Sequence, residues 1–261
     1  MSRLQKALAA TFAKNEKAFV PYIMAGDGGL DILKERVLFL EECGATAIEI
    51  GIPFTDPVAD GPTIQEAGLR SLKSGTTLRK VLAAVEEIRP HVSIPLIIMT
   101  YMNPVFAYGI PAFVEDAKNA GVDGFIIPDL PIDEEGMIEP ELTKAGIELI
   151  RLVTLTSPLK RIKEISSRGN GFLYAVTVTG TTGERAQFQE RVGEYLQNIK
   201  EVSPLPVLAG FGISTSAHVR DICRYCDGVI VGSKIIDLFN KNKKEEIREL
   251  IAASKMKLQE R

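Results

Sequence analysis

Short apolar runs alternate along this chain with segments of helical periodicity. The runs are rich in β-branched residues and predict eight strands, at 18–26, 45–54, 94–103, 124–131, 148–156, 171–178, 205–212 and 228–234. Between them, apolar residues recur at helical spacing in segments such as 31–44, where Leu33, Val37 and Leu40 share one face, and 77–89. Strands that read as continuously apolar and are each followed by a helix predict a parallel sheet covered by helices.

The number of these units predicts how the sheet closes. Eight strand-helix units in 261 residues fit a (β/α)8 TIM barrel better than an open doubly wound sheet. The series is not broken by a linker or a change of composition, so we expect residues 1–261 to form a single domain. An extra N-terminal helix precedes the first strand, and the charged segment 241–261 predicts a closing amphipathic helix.

Composition and charge narrow the classes of function. A net charge of −3 and a pI near 5.6 give no excess of positive charge that would favour binding to nucleic acid or an anionic membrane. No apolar run approaches the roughly 18 residues of a transmembrane helix, and the N-terminus lacks the apolar core of a signal peptide. These features predict a cytoplasmic protein.

Cys223 and Cys226 form a C-x-x-C pair downstream of His218, which raises the question of a metal site. Zinc would need a fourth ligand that only distant Cys43 or a carboxylate could supply. The pair also follows a helical pattern in which Val219 and Cys223 share a face. We interpret both cysteines as buried thiols and predict no metal site.

Barrel geometry assigns candidate chemistry to one end of the molecule. In this fold, active sites lie at the C-terminal ends of the strands. Glu49 lies late in the second strand, Asp60 in the loop that follows it and Tyr174 within the sixth strand. We therefore expect these three side chains to face the same opening.

Glycines after the last three strands predict a phosphate site. Gly183, Gly212, Gly232 and Ser233 follow strands six, seven and eight. Glycine lets backbone N–H groups approach an anion, and the N-terminus of a following helix adds a favourable dipole.

The residue types limit the chemistry. The predicted strand interiors contain no lysine for a Schiff base, and Lys234, after the last glycine and serine, is interpreted as leaving the barrel. Glu49, inside an apolar strand, should have a raised pKa suited to acid/base catalysis near neutrality. The alternative at this point is a structural carboxylate tied to backbone N–H groups or an arginine.

Several motifs in order make the chain similar to the α subunit of tryptophan synthase. The most distinctive is "IEIGIPFTDPVADGPTIQ", with Thr55 where serine is usual. Others are "FVPYIMAGD", "MTYMNPVFAYG", "GVDGFIIPDLP", "GFLYAVTVTGTTG", "VLAGFGIS" and "DGVIVGS". The resemblance covers nearly the whole chain.

The resemblance implies a lyase that cleaves indole-3-glycerol phosphate to indole and glyceraldehyde 3-phosphate in a retro-aldol reaction. Glu49 falls on the acid/base position, and Asp60 on the carboxylate that holds the indole N–H. The positions that line the indole pocket correspond to Tyr22, Tyr174 and Phe211. The position of Tyr22 is often phenylalanine in the family. Those of the phosphate cradle correspond to Gly183, Gly212, Gly232 and Ser233.

The resemblance also implies a partner. Family members form an α2β2 heterotetramer with a β subunit that uses pyridoxal phosphate (PLP) to make tryptophan, so no cofactor is expected in this chain. Asp56 and Pro57 would touch the β subunit. Val178 stands where some members have a polar or basic residue, which would weaken locking of the sixth loop.

Two other functions remain open from the sequence. Another phosphate-binding barrel enzyme, such as a sugar-phosphate isomerase or epimerase, would explain the glycines but not the ordered motifs. A non-catalytic regulatory subunit would bind a phosphate ligand without needing both carboxylates.

Overall fold

Eight parallel strands close into a barrel in this computed structural model, which describes residues 1–176, 185–210 and 212–255. The strands pair in chain order, and β8 pairs with β1 to complete the ring. They are β1 (Ala18–Met24), β2 (Ile48–Gly51), β3 (Leu96–Met99), β4 (Gly124–Ile126), β5 (Glu148–Thr154), β6 (Leu173–Val176), β7 (Val207–Gly210) and β8 (Gly228–Val231). The predicted (β/α)8 barrel is confirmed.

Helices surround the barrel and connect its strands. In the described ranges they are α1 (Arg3–Phe12), α2 (Leu33–Glu42), α3 (Pro62–Lys73), α4 (Leu78–Ile88), α5 (Met102–Tyr108), α6 (Ile110–Asn119), α7 (Glu139–Ala145), α8 (Leu159–Ser167), α9 (Arg185–Val202), α10 (Ser216–Ile222), α11 (Ser233–Asn240) and α12 (Lys244–Ala253). Within these ranges, none of them is long and apolar enough to cross a membrane.

The strands are shorter than the apolar runs that predicted them. The run 94–103 pairs only over β3, and Met102 already begins α5. Tyr101 and Met102 are nevertheless buried, because the loops and helices at the strand ends cover them. Hydrophobicity therefore predicted burial correctly but overestimated the length of the ladder. The predicted closing helix over 241–261 corresponds to α12; residues 256–261 lie outside the described residues.

The barrel interior is filled from its N-terminal end. Leu4 and Leu8 on α1 pack into the same apolar cluster as Ala18 and Phe172, which lie at the beginning of the barrel. Ser2 and Gln5 form a capping box at the start of α1, which satisfies its first backbone donors. With this end of the barrel closed by α1, the open space lies at the C-terminal ends of the strands.

The alternation along β2 explains how a glutamate fits an apolar strand. Ile48 and Ile50 point outward into the apolar layer beneath the helices. Glu49 points the other way and lines the interior cavity, as the two-residue period of a strand requires.

Candidate active site

A cavity of about 510 Å³ opens at the C-terminal ends of the strands. It collects the ends of strands and the loops that follow them, as the barrel geometry predicted. Among the residues predicted from the sequence, those that line it are Tyr22, Glu49, Asp60, Tyr174, Gly212, Gly232 and Ser233. The fold thus brings together residues from Tyr22 to Ser233, which lie far apart in the sequence.

Other predicted residues lie elsewhere. Asp56 and Pro57 share a loop with Asp60 but are not in the cavity lining; the Asp56 carboxylate accepts a hydrogen bond from the Thr55 hydroxyl at 2.5 Å. Gly183, Phe211 and Val178 lie outside the described residues.

Glu49 is a buried acid with a free oxygen. Its side chain is held by β2 between β1 and β3, with Tyr22 and Ile97 as its neighbours in the ladder. The residue is 4% exposed, and in the described part of the chain its Oε2 atom has no hydrogen-bond partner. A structural carboxylate would be tied by such bonds, so this geometry favours a chemical role.

Burial also sets the protonation of Glu49. Loss of solvent raises its pKa to about 8, and the nearby carboxylate of Asp60 adds to the effect. Since both causes disfavour the anion, Glu49 is mainly a neutral acid at pH 7. Such a group can donate a proton and then accept one back.

Two tyrosines form walls of the cavity, and two glycines give them room. A Cβ atom on Gly51 would lie 1.9 Å from the Tyr22 hydroxyl oxygen, and one on Gly210 would lie 2.6 Å from that of Tyr174. A residue larger than glycine at either position would therefore collide with the tyrosine ring. Sequence reasoning did not single out these glycines, which lie inside the predicted strands 45–54 and 205–212 and end β2 and β7 in the structure.

Asp60 is positioned by the loop that follows β2. The Gln65 side chain donates a hydrogen bond to the Asp60 carbonyl at 2.7 Å, and the Tyr101 hydroxyl accepts one from Ala59 N–H at 3.1 Å. Burial raises the pKa of Asp60, while the neighbouring Tyr101 hydroxyl lowers it in part. The loop therefore presents a second carboxyl group to the cavity beside Glu49.

An ion pair fixes the helix that follows this loop. Arg70 on α3 donates two hydrogen bonds to the Asp27 carboxylate, at 2.7 and 3.0 Å, and Asp27 is only 2% exposed. The Ser71 hydroxyl donates to the Ala25 carbonyl at 2.5 Å. These contacts hold the C-terminal end of α3, the helix that begins two residues after Asp60, against the end of β1.

The opposite side of the cavity is suited to an anion. Gly212, Gly232 and Ser233 line it, and α11 begins at Ser233 with Gly232 as its N-cap. Backbone N–H groups at a helix start carry partial positive charge and lack partners within the helix.

Lys234 differs from its sequence interpretation. It lies in the first turn of α11 and lines the cavity together with Gly232 and Ser233. It follows β8 and lies in α11, in agreement with the interpretation that it leaves the barrel strand, but that interpretation did not include its place in the cavity lining.

The C-x-x-C pair is confirmed as two buried thiols. Cys223 and Cys226 are free, with exposures of 1% and 0%. The Cys226 thiol donates to backbone carbonyls of Ile222 and Gly228, and burial raises the pKa of the Cys223 thiol to about 12. Neither is poised as a ligand or nucleophile.

Comparison with known proteins agrees with this geometry. The family model described as "Tryptophan synthase alpha chain" matches residues 8–260. The tryptophan synthase alpha chain of Bacillus anthracis (strain CDC 684 / NRRL 3495) is 55% identical over 250 residues, which cover 96% of this chain and 97% of the relative.

Solved structures agree as well. A chain from Aquifex aeolicus VF5 superposes with a TM-score of 0.90 at 34% identity, covering 98% of this chain and all of that one. Tryptophan synthase from M. tuberculosis, in its aminoacrylate- and BRD0059-bound form, gives a TM-score of 0.89 at 32% identity and covers 98% and 99% of the two chains. With the match extending from α1 through the whole barrel, this chain belongs to the tryptophan synthase alpha chain family.

Proposed function

We propose that Glu49 transfers the protons in the reaction of this enzyme, the lyase cleavage of indole-3-glycerol phosphate to indole and glyceraldehyde 3-phosphate. The observation that carries the proposal is its buried carboxyl group, which lines the cavity and has one oxygen without a hydrogen-bond partner among the described residues. With a pKa raised to about 8, the group is in its acid form when substrate arrives at neutral pH.

The cleavage requires two proton transfers, each of a different proton. Glu49 donates its proton to C3 of the indole ring, which turns the ring into a cationic indolenine. The resulting carboxylate then removes the proton from the side-chain hydroxyl next to the breaking bond. The electrons of the C–C bond flow into the indolenine, which restores indole and leaves the aldehyde. Glu49 ends protonated, so the cycle is balanced without an external acid.

Asp60 stabilises the charge that the ring acquires. Its carboxylate holds the indole N–H, where positive charge develops when C3 is protonated. A fixed anion in a site largely shielded from water stabilises such charge more strongly than solvent does. The loop contacts to Gln65 and Tyr101 support this role because they fix the backbone on either side.

The two ends of the substrate occupy opposite sides of the cavity. The indole ring packs between Tyr22 and Tyr174, together with Phe211. The phosphate accepts hydrogen bonds from the backbone of Gly212, Gly232 and Ser233, together with Gly183. Phe211 and Gly183 enter by resemblance to the family.

The product indole passes to a tryptophan synthase β subunit. Partnership with a β subunit follows from membership of the family; the α2β2 stoichiometry, the PLP in the β subunit and the contact through Asp56 and Pro57 are part of the proposal. Since Asp56 and Asp60 share one loop, contact with the β subunit and closure over substrate would be coupled.

Indole release from indole-3-glycerol phosphate tests these roles. We expect slow release by the purified chain and a marked rise when a β subunit is added. Glu49→Gln keeps the size of the side chain and should lower kcat by at least about a thousandfold, within the range for loss of an acid/base group. Asp60→Asn should cost about a hundredfold.

Two results would contradict the proposal. Release by Glu49→Gln at the rate of the parent would exclude proton transfer by Glu49. Equal turnover with and without the β subunit would exclude the coupling through the Asp56 loop.

A further inference from the structure

Lys234 lies at an unusual place for a lysine. It is the second residue of α11, one position after Ser233; it lines the cavity, and its side chain is 27% exposed. The N-terminus of a helix carries partial positive charge, so a cation in the first turn is unfavourable. The first turn of α11 contains no acidic residue to offset this.

The carboxylates near Lys234 are held by other lysines. Among the described residues its ion-pair partner is Glu246 Oε2, at 3.9 Å, which is longer than a charge-assisted hydrogen bond of about 2.8 Å. The other oxygen of Glu246 accepts a hydrogen bond from Lys243. Asp237, which also lines the cavity, has Lys241 at 2.7 Å. The Lys234 ammonium group is therefore only loosely paired.

An independent feature indicates that this cavity takes a ligand. Glu49, a residue 4% exposed, lines the same cavity, and among the described residues its Oε2 atom has no hydrogen-bond partner. A buried polar atom without a partner is unusual in a folded protein and points to a group that is bound during function.

We propose that Lys234 is a substrate-binding residue that supplies a positive charge to the phosphate of indole-3-glycerol phosphate. It complements the backbone N–H groups of Gly212, Gly232 and Ser233, which provide direction but no full charge. The inference rests on the proposed function for the position of the phosphate. The bound phosphate would offset the charge conflict between Lys234 and the helix dipole.

Substitution of Lys234 separates binding from turnover. The variants are Lys234→Ala, Lys234→Gln and Lys234→Arg, with Lys160→Ala as the matched control. Lys160 is also the second residue of its helix, α8, and follows a strand at the same end of the barrel, but it is exposed and, in the part of the chain that the structure describes, does not line the cavity.

The measurements are KM and kcat for indole-3-glycerol phosphate, and the Kd of glyceraldehyde 3-phosphate by calorimetry. Loss of one charge-assisted contact should raise KM and Kd about tenfold in Lys234→Ala and Lys234→Gln. We expect kcat to stay within about twofold, because the phosphate contact is the same in ground and transition states. Lys234→Arg should restore most of the affinity, and Lys160→Ala should match the parent.

Stability and salt provide readouts that a structural role for Lys234 would not give. Lys234→Ala should unfold at the same or a higher temperature than the parent, since it removes a cation from a helix N-terminus. Added salt should weaken glyceraldehyde 3-phosphate binding more in the parent than in Lys234→Gln.

The outcomes separate this inference from the proposed function. Cleavage by the parent together with an unchanged KM and Kd in Lys234→Ala overturns the role of Lys234 and leaves the proposed function intact. Binding of glyceraldehyde 3-phosphate that depends on Lys234, without any cleavage, supports the role and overturns the proposed function. Absence of both binding and cleavage in the parent overturns both.

Discussion

Glu49→Gln should make the stability of the chain respond differently to pH. The usual pKa of a glutamate is 4.5, and that of Glu49 in the folded chain is about 8. Between these values folding takes up a proton, so the free energy of unfolding of the parent falls as pH rises through this window. Glutamine has no proton to gain and lacks this contribution.

The magnitude follows from the two pKa values. One pH unit corresponds to about 1.4 kcal/mol, and the unfolded chain is already partly ionised at about pH 5. Raising the pH from about 5 to about 9 should therefore shift the stability difference by about 4 kcal/mol in favour of Glu49→Gln. This is a large fraction of the total stability of a typical domain.

Urea unfolding of both proteins at several pH values, followed by circular dichroism, measures this difference. Glu35→Gln is the matched control, because a hydrogen bond from Lys244 lowers the pKa of that exposed glutamate. Its contribution has the opposite sign: it stabilises the parent above the usual pKa and is lost as pH falls. A stability difference between Glu49→Gln and the parent that does not change with pH would refute a neutral buried acid at this position.

Three other predictions concern the surroundings of the site. Gly51→Ala should lower the free energy of unfolding by about 2 kcal/mol and remove most of the indole release, because the added Cβ would lie 1.9 Å from the Tyr22 hydroxyl. Urea unfolding and the indole assay test this, and normal activity would contradict it. Arg70→Ala leaves the Asp27 carboxylate buried without its partner and should lower the free energy of unfolding by about 2 kcal/mol. Arg70→Lys, which keeps the charge, should lower it less in the same urea unfolding measurement. Cys226 is fully buried, and burial raises the pKa of its thiol, so it should react with an aromatic disulfide reagent only after unfolding; labelling of the native chain followed by mass spectrometry would show otherwise.

Much of the fold and part of the site could be predicted from the local pattern. The alternation of apolar runs and helical segments determined the number of strands, their parallel direction and their closure. It also showed that Glu49 interrupts a buried strand, and its position late in that strand placed it at the functional end. These features repeat over a few residues, so a sequence displays them directly.

The contacts that complete the site depend on the closed barrel. Gly51 and Tyr22 meet because β1 and β2 pair in one register, and Arg70 reaches Asp27 across 43 residues of sequence. The local sequence shows only that Lys234 follows a glycine and a serine. It does not show that the first turn of α11 lies at the cavity. Periodicity fixes which face of an element is buried, but the register between strands and the tilt of each helix determine which side chains meet. The sequence by itself thus determined the barrel, its family and its buried acid, and the tertiary structure decided the glycine-tyrosine walls, the anchored Asp60 loop and the lysine at the cavity.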